Sequence, residues 1–202
     1  MTSIPLVGLI LAGGRSQRLG GHDKAFLELS GQTLLARVIA RLAPQVDMLA
    51  VNSNAPAAAF AAYGLTVIAD CQQNYHLGPL AGIHAGLKTW PNRRLVTVAV
   101  DLPFLPTDLV TRLERGTGVC RYASNGARHA LALLWEPGQA EAVERFLDSG
   151  GRSLYDWLSA HGSAVRFDGR ADADLFFNIN TPEDLYRAEQ IAGHTITEPP
   201  LS

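Results

Sequence analysis

Residues 9–24 read Leu9-Ile10-Leu11-Ala12-Gly13-Gly14-Arg15-Ser16-Gln17-Arg18-Leu19-Gly20-Gly21-His22-Asp23-Lys24. An apolar run of strand length enters a loop rich in glycine and cations, and a helix-like pattern follows. A parallel α/β sheet builds a phosphate cradle in this way. Glycines let backbone N–H groups approach an anion, and Arg15, Arg18 and Lys24 add positive charge. The loop matches neither G-x-x-x-x-G-K-[ST], because Lys24 stands between Asp23 and Ala25, nor G-x-G-x-x-G. An ordinary Gly-rich turn with solvated cations would need only the Gly13-Gly14 pair. Ser16, Arg18, Gly20 and Lys24 in phase with that pair favour a ligand.

The rest of the first half continues the alternation. Residues 5–11, 48–52, 66–69 and 95–100 are apolar runs rich in Val, Ile and Leu with little polar alternation, as in parallel strands buried on both faces. Helical patterns lie between them at 34–42, 57–63 and 80–89, and a fourth follows at 107–114. Thr33 suits the N-cap of the first. This order predicts an α/β fold: one Rossmann-like, doubly wound, mostly parallel sheet flanked by helices.

The second half is less regular. Apolar runs at 118–123 and 131–135 flank Ser124-Asn125-Gly126-Ala127-Arg128, which predicts a small β-hairpin elaboration. Helical patterns follow at 139–147 and 153–159, with short strand candidates at 165–167 and 176–178. Thr181-Pro182-Glu183-Asp184 opens a last helix: Thr at N-cap, Pro at N1, acids in the first turn. Residues 1–192 are expected to form a single domain and 193–202 a flexible tail.

Composition narrows the class. With 202 residues, 47% of them hydrophobic, the chain can bury a full core. A net charge of −2 provides no global field for nucleic acid or acidic membranes. Cys71 and Cys120 lie too far apart in the sequence for a C-x-x-C site and read as reduced thiols. The first apolar run is too short to span a membrane and lacks the flanks of a signal peptide, so a cytoplasmic protein is expected. The six histidines show no ligand spacing, and no zinc site is expected.

Three groups of residues carry chemistry. In the opening loop, backbone N–H groups of 12–14 with Arg18 and Lys24 would neutralise a triphosphate. Asp101, in Val98-Ala99-Val100-Asp101-Leu102-Pro103-Phe104, ends a buried strand where ligands bind in open α/β sheets. A lone carboxylate there suits Mg²⁺ held jointly with substrate phosphates; the other reading is a turn cap. Asn178 and Asn180 stand two apart at an expected strand end, so both would face one ligand or metal, or serve only to enter the helix. Asn52 and Asp70 end the second and third strands, and Gly78-Pro79-Leu80-Ala81-Gly82 is a second tight loop before a helix. Each of these alone reads equally as turn chemistry.

The opening loop matches L-A-G-G-x-S-x-R-[ML]-G-x-x-K, the signature of nucleotidyltransferases with a Rossmann-like fold. From about Val7 to Ile191 the chain resembles the molybdenum cofactor guanylyltransferases, which join GMP to molybdopterin. The specific marks are Leu-Ala-Gly-Gly at 11–14, Gly-Pro-Leu-Ala-Gly at 78–82, Asp-Leu-Pro-Phe at 101–104 and Asn-Ile-Asn-Thr-Pro-Glu-Asp at 178–184. The similar cytidylyltransferases would show Leu-Ala-Ala-Gly and Asp-Gln-Pro.

The resemblance implies a GTP site from Leu11, Ala12, Gly13, Gly14, Lys24, Asn52, Asp70, Gly78, Pro79, Leu80 and Asp101. It places Mg²⁺, or Mn²⁺, on Asp101, with Arg18 on the triphosphate. Arg18, Lys24 and Asp101 would be the catalytic set, and Asn178 and Asn180 would face the pterin. The family's usual His-Pro is His129-Ala130 here, a departure on the side of the second substrate. The resemblance further implies molybdopterin as partner, other proteins of molybdenum cofactor synthesis and insertion, and a monomer. Two other readings stay open: a nucleotidyltransferase for cytidine or a sugar phosphate, and a non-catalytic GTP-binding module.

Overall fold

The computed structural model describes residues 4–13, 23–71, 78–168 and 174–194. In chain order the strands are β1 (Leu6–Leu11), β2 (Glu28–Leu29), β3 (Gln32–Thr33), β4 (Met48–Asn52), β5 (Thr66–Ile68), β6 (Arg94–Ala99), β7 (Cys120–Ser124), β8 (Arg128–Trp135) and β9 (Gly162–Arg166). The helices are α1 (Leu34–Leu42), α2 (Pro79–Thr89), α3 (Leu109–Leu113), α4 (Ala140–Asp148), α5 (Leu154–His161) and α6 (Pro182–His194).

Seven strands form one sheet in the order β5-β4-β1-β6-β8-β7-β9, and β2 and β3 form a separate hairpin. The neighbours from β5 to β6 are all parallel. β8 enters antiparallel between β6 and β7, and β9 pairs parallel with β7. The sheet is thus mostly parallel and doubly wound, as expected. β1 explains its own central place: all six of its residues are buried, which only a strand covered on both faces can tolerate.

Each face of the sheet has its own core. On one, Ile10, Val96 and Val98 pack with Leu34, Val38, Leu42, Leu109 and Leu113. On the other, Val7, Leu9 and Leu95 pack with Leu80, Ile83, Leu87, Val143, Leu147 and Trp157. α1 sits firmly because Thr33 caps it, accepting the Ala36 N–H at 3.1 Å, and its apolar residues fall on one stripe. Gly86 lets α2 approach the sheet: a Cβ there would come within 2.6 Å of Leu9.

Four expectations need correction. Residues 57–63 form a 3-10 helix; only Phe60 in it is buried, so no apolar stripe holds a regular α-helix against the core. The helix expected at 107–114 is only Leu109–Leu113, because Asp108 is not in helical conformation. The strand at 165–167 runs instead from Gly162 to Arg166. Residues 176–178 form no strand: Phe177 donates to the Asp174 carbonyl in a turn, and Ile179 N–H donates to the Asp101 carbonyl, past the end of β6, at 3.1 Å. The buried residues there are Phe176 and Ile179, three apart, which is not a strand period. At the other end α6 runs to His194, into the segment expected as tail, and 195–202 lie outside the described residues. No helix of the described residues is long and apolar enough to cross a membrane.

Candidate active site

The carboxyl ends of β1, β4, β5 and β6 open onto a cavity of about 200 Å³. Its wall includes Leu11, Ala12, Gly13, Lys24, Asn52, Asp70, Gly78, Pro79 and Asp101. This is the crevice where open α/β sheets place ligands. Gly14 and Arg18 lie outside the described residues. Leu80 does not line the cavity. Its side chain is fully buried in the core under α2, so any ligand contact from it would be through backbone.

The centre of the crevice is Lys24. Asp23 accepts the Ala25 N–H at 3.0 Å and so starts the 3-10 turn Lys24–Phe26. Burial lifts the Asp23 carboxyl above the ordinary carboxylate range, against the lowering effect of that N–H. From this turn Lys24 Nζ donates to Asp101 Oδ2 at 2.9 Å and to Asn180 Oδ1 at 2.5 Å. An ammonium has three donors, so among the described residues one remains for a further acceptor. Asp101 Oδ1 is buried and has no hydrogen-bond partner among the described residues. A buried carboxylate oxygen left in that state is costly unless something else, such as a cation, meets it. No three His, Cys, Asp or Glu side chains converge as a metal cluster among the described residues. A hard cation at Asp101 would therefore complete its shell from ligand oxygens and water, as Mg²⁺ commonly does.

At the β4–β5 end, Asn52 is 4% exposed. Its Nδ2 donates to the Ile68 carbonyl at 3.2 Å and to Asp70 Oδ1 at 2.9 Å. Asn54 Nδ2 donates to Asp70 Oδ2 at 2.9 Å, and the Asp70 N–H returns a bond to Asn54 Oδ1 at 3.0 Å. Gly78 opens α2 with φ of 71°, a conformation that favours glycine. Among the described residues, a Cβ on Gly13 would meet only Asn52 Oδ1, at 3.7 Å.

A second cavity of about 300 Å³ shares Pro79 and Leu131 with the first. It is lined by Arg128, His129, Arg152, Tyr155 and Asn178 among others. Arg128 donates to the Tyr155 carbonyl and Ser159 Oγ, both at 3.0 Å. Arg152 donates to the Leu147 carbonyl at 2.7 Å. His129 stacks on Phe176 with ring centroids 4.3 Å apart, and burial holds its imidazole below the ordinary value.

The expectation that Asn178 and Asn180 stand at a strand end is corrected. They are not on a strand: Asn180 ties Lys24, and Asn178 lines the second cavity. The sequence reading also missed Asn54, Leu131, Arg128, Arg152 and Tyr155. Only Asn54 carried a local signal, as an Asx residue just past a strand end.

A family model for the MobA-like NTP transferase domain matches residues 8–164. A molybdenum cofactor guanylyltransferase of Cereibacter sphaeroides is 43% identical over 192 residues, covering 92% of this chain and 96% of its own. Another from Mesorhizobium japonicum is 38% identical over 200 residues, covering 92% and 95%. The chain belongs to this guanylyltransferase family. Among solved structures, molybdopterin-guanine dinucleotide biosynthesis protein A of Archaeoglobus fulgidus is similar with a TM-score of 0.77 and 25% identity, covering 93% of this chain and 99% of that one. Asn180 lies beyond the residues matched by the domain model, so the group that steadies Lys24 comes from the segment that follows the matched domain.

Proposed function

We propose that this chain transfers GMP from GTP to the terminal phosphate of molybdopterin, releasing pyrophosphate and forming molybdopterin guanine dinucleotide. The observation that carries the reading is Lys24, held by Asp101 and Asn180 at the mouth of the parallel strands. Family membership gives the reading its nucleotide and its acceptor.

The crevice would take GTP with its phosphates toward Lys24. Gly13 and the N-terminal turn of α2 let the nucleotide lie against backbone, and Arg18 adds charge to the triphosphate. The acceptor would enter through the second cavity, whose shared wall at Pro79 and Leu131 brings it against the α-phosphate. Its terminal phosphate is already ionised at neutral pH, so its oxygen can attack the α-phosphorus without a general base. The bond from that phosphorus to the pyrophosphate oxygen breaks as the new one forms. Lys24 holds the phosphate oxygens as charge moves to the leaving group. Asp101 keeps Lys24 in place through Oδ2 and is the residue that would hold Mg²⁺ or Mn²⁺ through Oδ1. Bound there with the phosphates, the cation would act as a Lewis acid.

The test is pyrophosphate release with each of the four nucleoside triphosphates, with and without molybdopterin. Release only with GTP and molybdopterin together is expected. Equal release with CTP would favour a cytidylyltransferase, and GTP binding without any release would favour a binding module.

A further inference from the structure

The group that steadies Lys24 is itself held in place. Ile179 N–H donates to the Asp101 carbonyl at 3.1 Å, and Asp101 Oδ2 and Asn180 Oδ1 both accept from Lys24 Nζ. These bonds close a ring. It runs from Lys24 to the Asp101 side chain, along Asp101 to its carbonyl, across to Ile179, and through Asn180 back to Lys24. The N–H of the peptide bond that joins Ile179 to Asn180 meets a residue outside the ring: it donates at 2.9 Å to Asp184 Oδ2.

Asp184 also does what an acid in a first helical turn commonly does. The same oxygen accepts the Thr181 N–H at 3.0 Å, and Thr181 Oγ1 accepts the Asp184 N–H at 3.1 Å. That reciprocal pair is a capping box, and by itself it would only start α6. The bond from Asn180 is additional. It lies one residue before the cap and fixes the backbone from which the Asn180 side chain reaches Lys24. Asn180 is thus held from both sides, by Asp101 through Ile179 and by Asp184 directly. Farther along α6, Glu189 accepts the Ser30 N–H at 2.8 Å and the Ser30 hydroxyl. The helix therefore meets the segment that carries Lys24 at two places.

We propose that Asp184 is a positioning residue for nucleotidyl transfer: it touches no substrate and acts through Asn180, whose amide oxygen it keeps on Lys24. The proposal rests on the guanylyltransferase reading above. Loss of Asp184 leaves the charge of Lys24 in place and loosens its aim. Aim matters most as charge moves onto the leaving pyrophosphate, so turnover should suffer more than GTP binding.

The experiment measures Tm, and kcat and KM for GTP with molybdopterin, on wild type, Asp184→Ala, Asp184→Asn, Thr181→Ala, Asn180→Ala and the double variant Asn180→Ala with Asp184→Ala. Asp184→Ala should lower kcat roughly five- to tenfold, with KM for GTP within about twofold of wild type. Asp184→Asn should restore most of the loss, because one amide oxygen can accept both N–H groups. Thr181→Ala breaks the other half of the capping box. It should lower Tm about as much as Asp184→Ala and keep kcat near wild type. In the double variant Asp184→Ala should add almost nothing to the loss from Asn180→Ala, since the two act on Lys24 in series. Losses that multiply overturn the proposal, and so does Thr181→Ala losing as much turnover as Asp184→Ala. Wild-type kcat in Asp184→Ala overturns it directly. A wild type that transfers no guanylyl group from GTP defeats the functional reading, and that is seen before any variant is made. The aim of Lys24 is then read without turnover, by competitive labelling with an amine-reactive anhydride and peptide mapping. Asp184→Ala and Asn180→Ala should each label Lys24 about threefold or more faster than wild type, as an acceptor loosens, and Thr181→Ala should not. An unchanged labelling rate in Asp184→Ala overturns the proposal there as well.

Discussion

Gly82→Ala tests how the crevice wall is held. The change adds one methyl inside α2. A Cβ at Gly82 would lie 2.1 Å from Asn52 Oδ1 and 2.6 Å from its Cγ. Asn52 is 4% exposed and cannot swing into water. To make room it must give up its bonds to Asp70 and to the Ile68 carbonyl. Each is worth about 1 kcal/mol net, the Asp70 one somewhat less because that carboxylate is only half-buried. Residual crowding adds about 1–2 kcal/mol. Alanine recovers about 1 kcal/mol over glycine in a helix interior. The net loss is about 1.5–2.5 kcal/mol, or roughly 3–10 °C in Tm for a chain of this size. GTP affinity should fall several-fold as well, because Asp70 loses one of its clamps. Urea unfolding and GTP titration on the same preparation measure both effects. Adding Asn52→Ala to Gly82→Ala should restore stability and leave affinity low. A Gly82→Ala protein with wild-type stability and wild-type affinity would show that the Asn52 amide relocates freely, and would refute the reasoning.

Two further outcomes are expected. Asp101→Asn keeps shape and removes charge, so transfer should fall by about 100-fold or more and GTP affinity only a few-fold, with Tm nearly unchanged; wild-type transfer would refute the metal role, and a large loss of stability with GTP affinity intact would support a turn cap. Burial holds His84 and His129 below the ordinary imidazole value. As pH falls below about 6.5 the unfolded chain therefore takes up protons before the folded one, and stability should drop from about pH 7 to pH 5. His129→Gln should flatten the drop in urea midpoint, and an unchanged slope would show that this ring is not proton-linked.

The parallel half of the fold was legible because its strands are unbroken apolar runs and its first helix carries a Thr cap. Residues 48–52 and 34–42 form β4 and α1 with those same bounds, and Thr33 caps α1 as its position promised. The hairpin region was legible from Asn125-Gly126, though β8 starts at Arg128 rather than 131. The segment at 176–180 was misread because burial of Phe176 and Asn178's polarity imitate alternation, whereas the buried partner is Ile179. Residues at strand ends could be nominated for the crevice one by one, since topology puts all parallel strand ends on one side. Which of them touch was not legible. Lys24 meets Asn180 across 156 positions, and no local pattern encodes such a pairing. Arg128, Arg152 and Tyr155 were missed for the same reason: each sits beside ordinary turn or cap residues, and only packing of α5 on β8 collects them.

The Lys24 junction also bears on when, during synthesis and folding, the protein becomes competent. Lys24 and Asp101 are 77 positions apart and Lys24 and Asn180 156. Closing the second loop rather than the first adds only about 0.6 kcal/mol of chain entropy, one doubling of length, so distance along the chain is not the obstacle. The obstacle is order of appearance. A nascent chain that has emerged only through β9 already contains every strand of the sheet, and both Lys24 and Asp101, but neither Ile179 nor Asn180. Its ammonium would have one fixed acceptor instead of two, and the Asp101 carbonyl would still lack the N–H of Ile179. Such an intermediate has its sheet before it has an ordered phosphate grip. Nucleotide protection against proteolysis should accordingly appear as a late kinetic phase, after the sheet's own signal is complete.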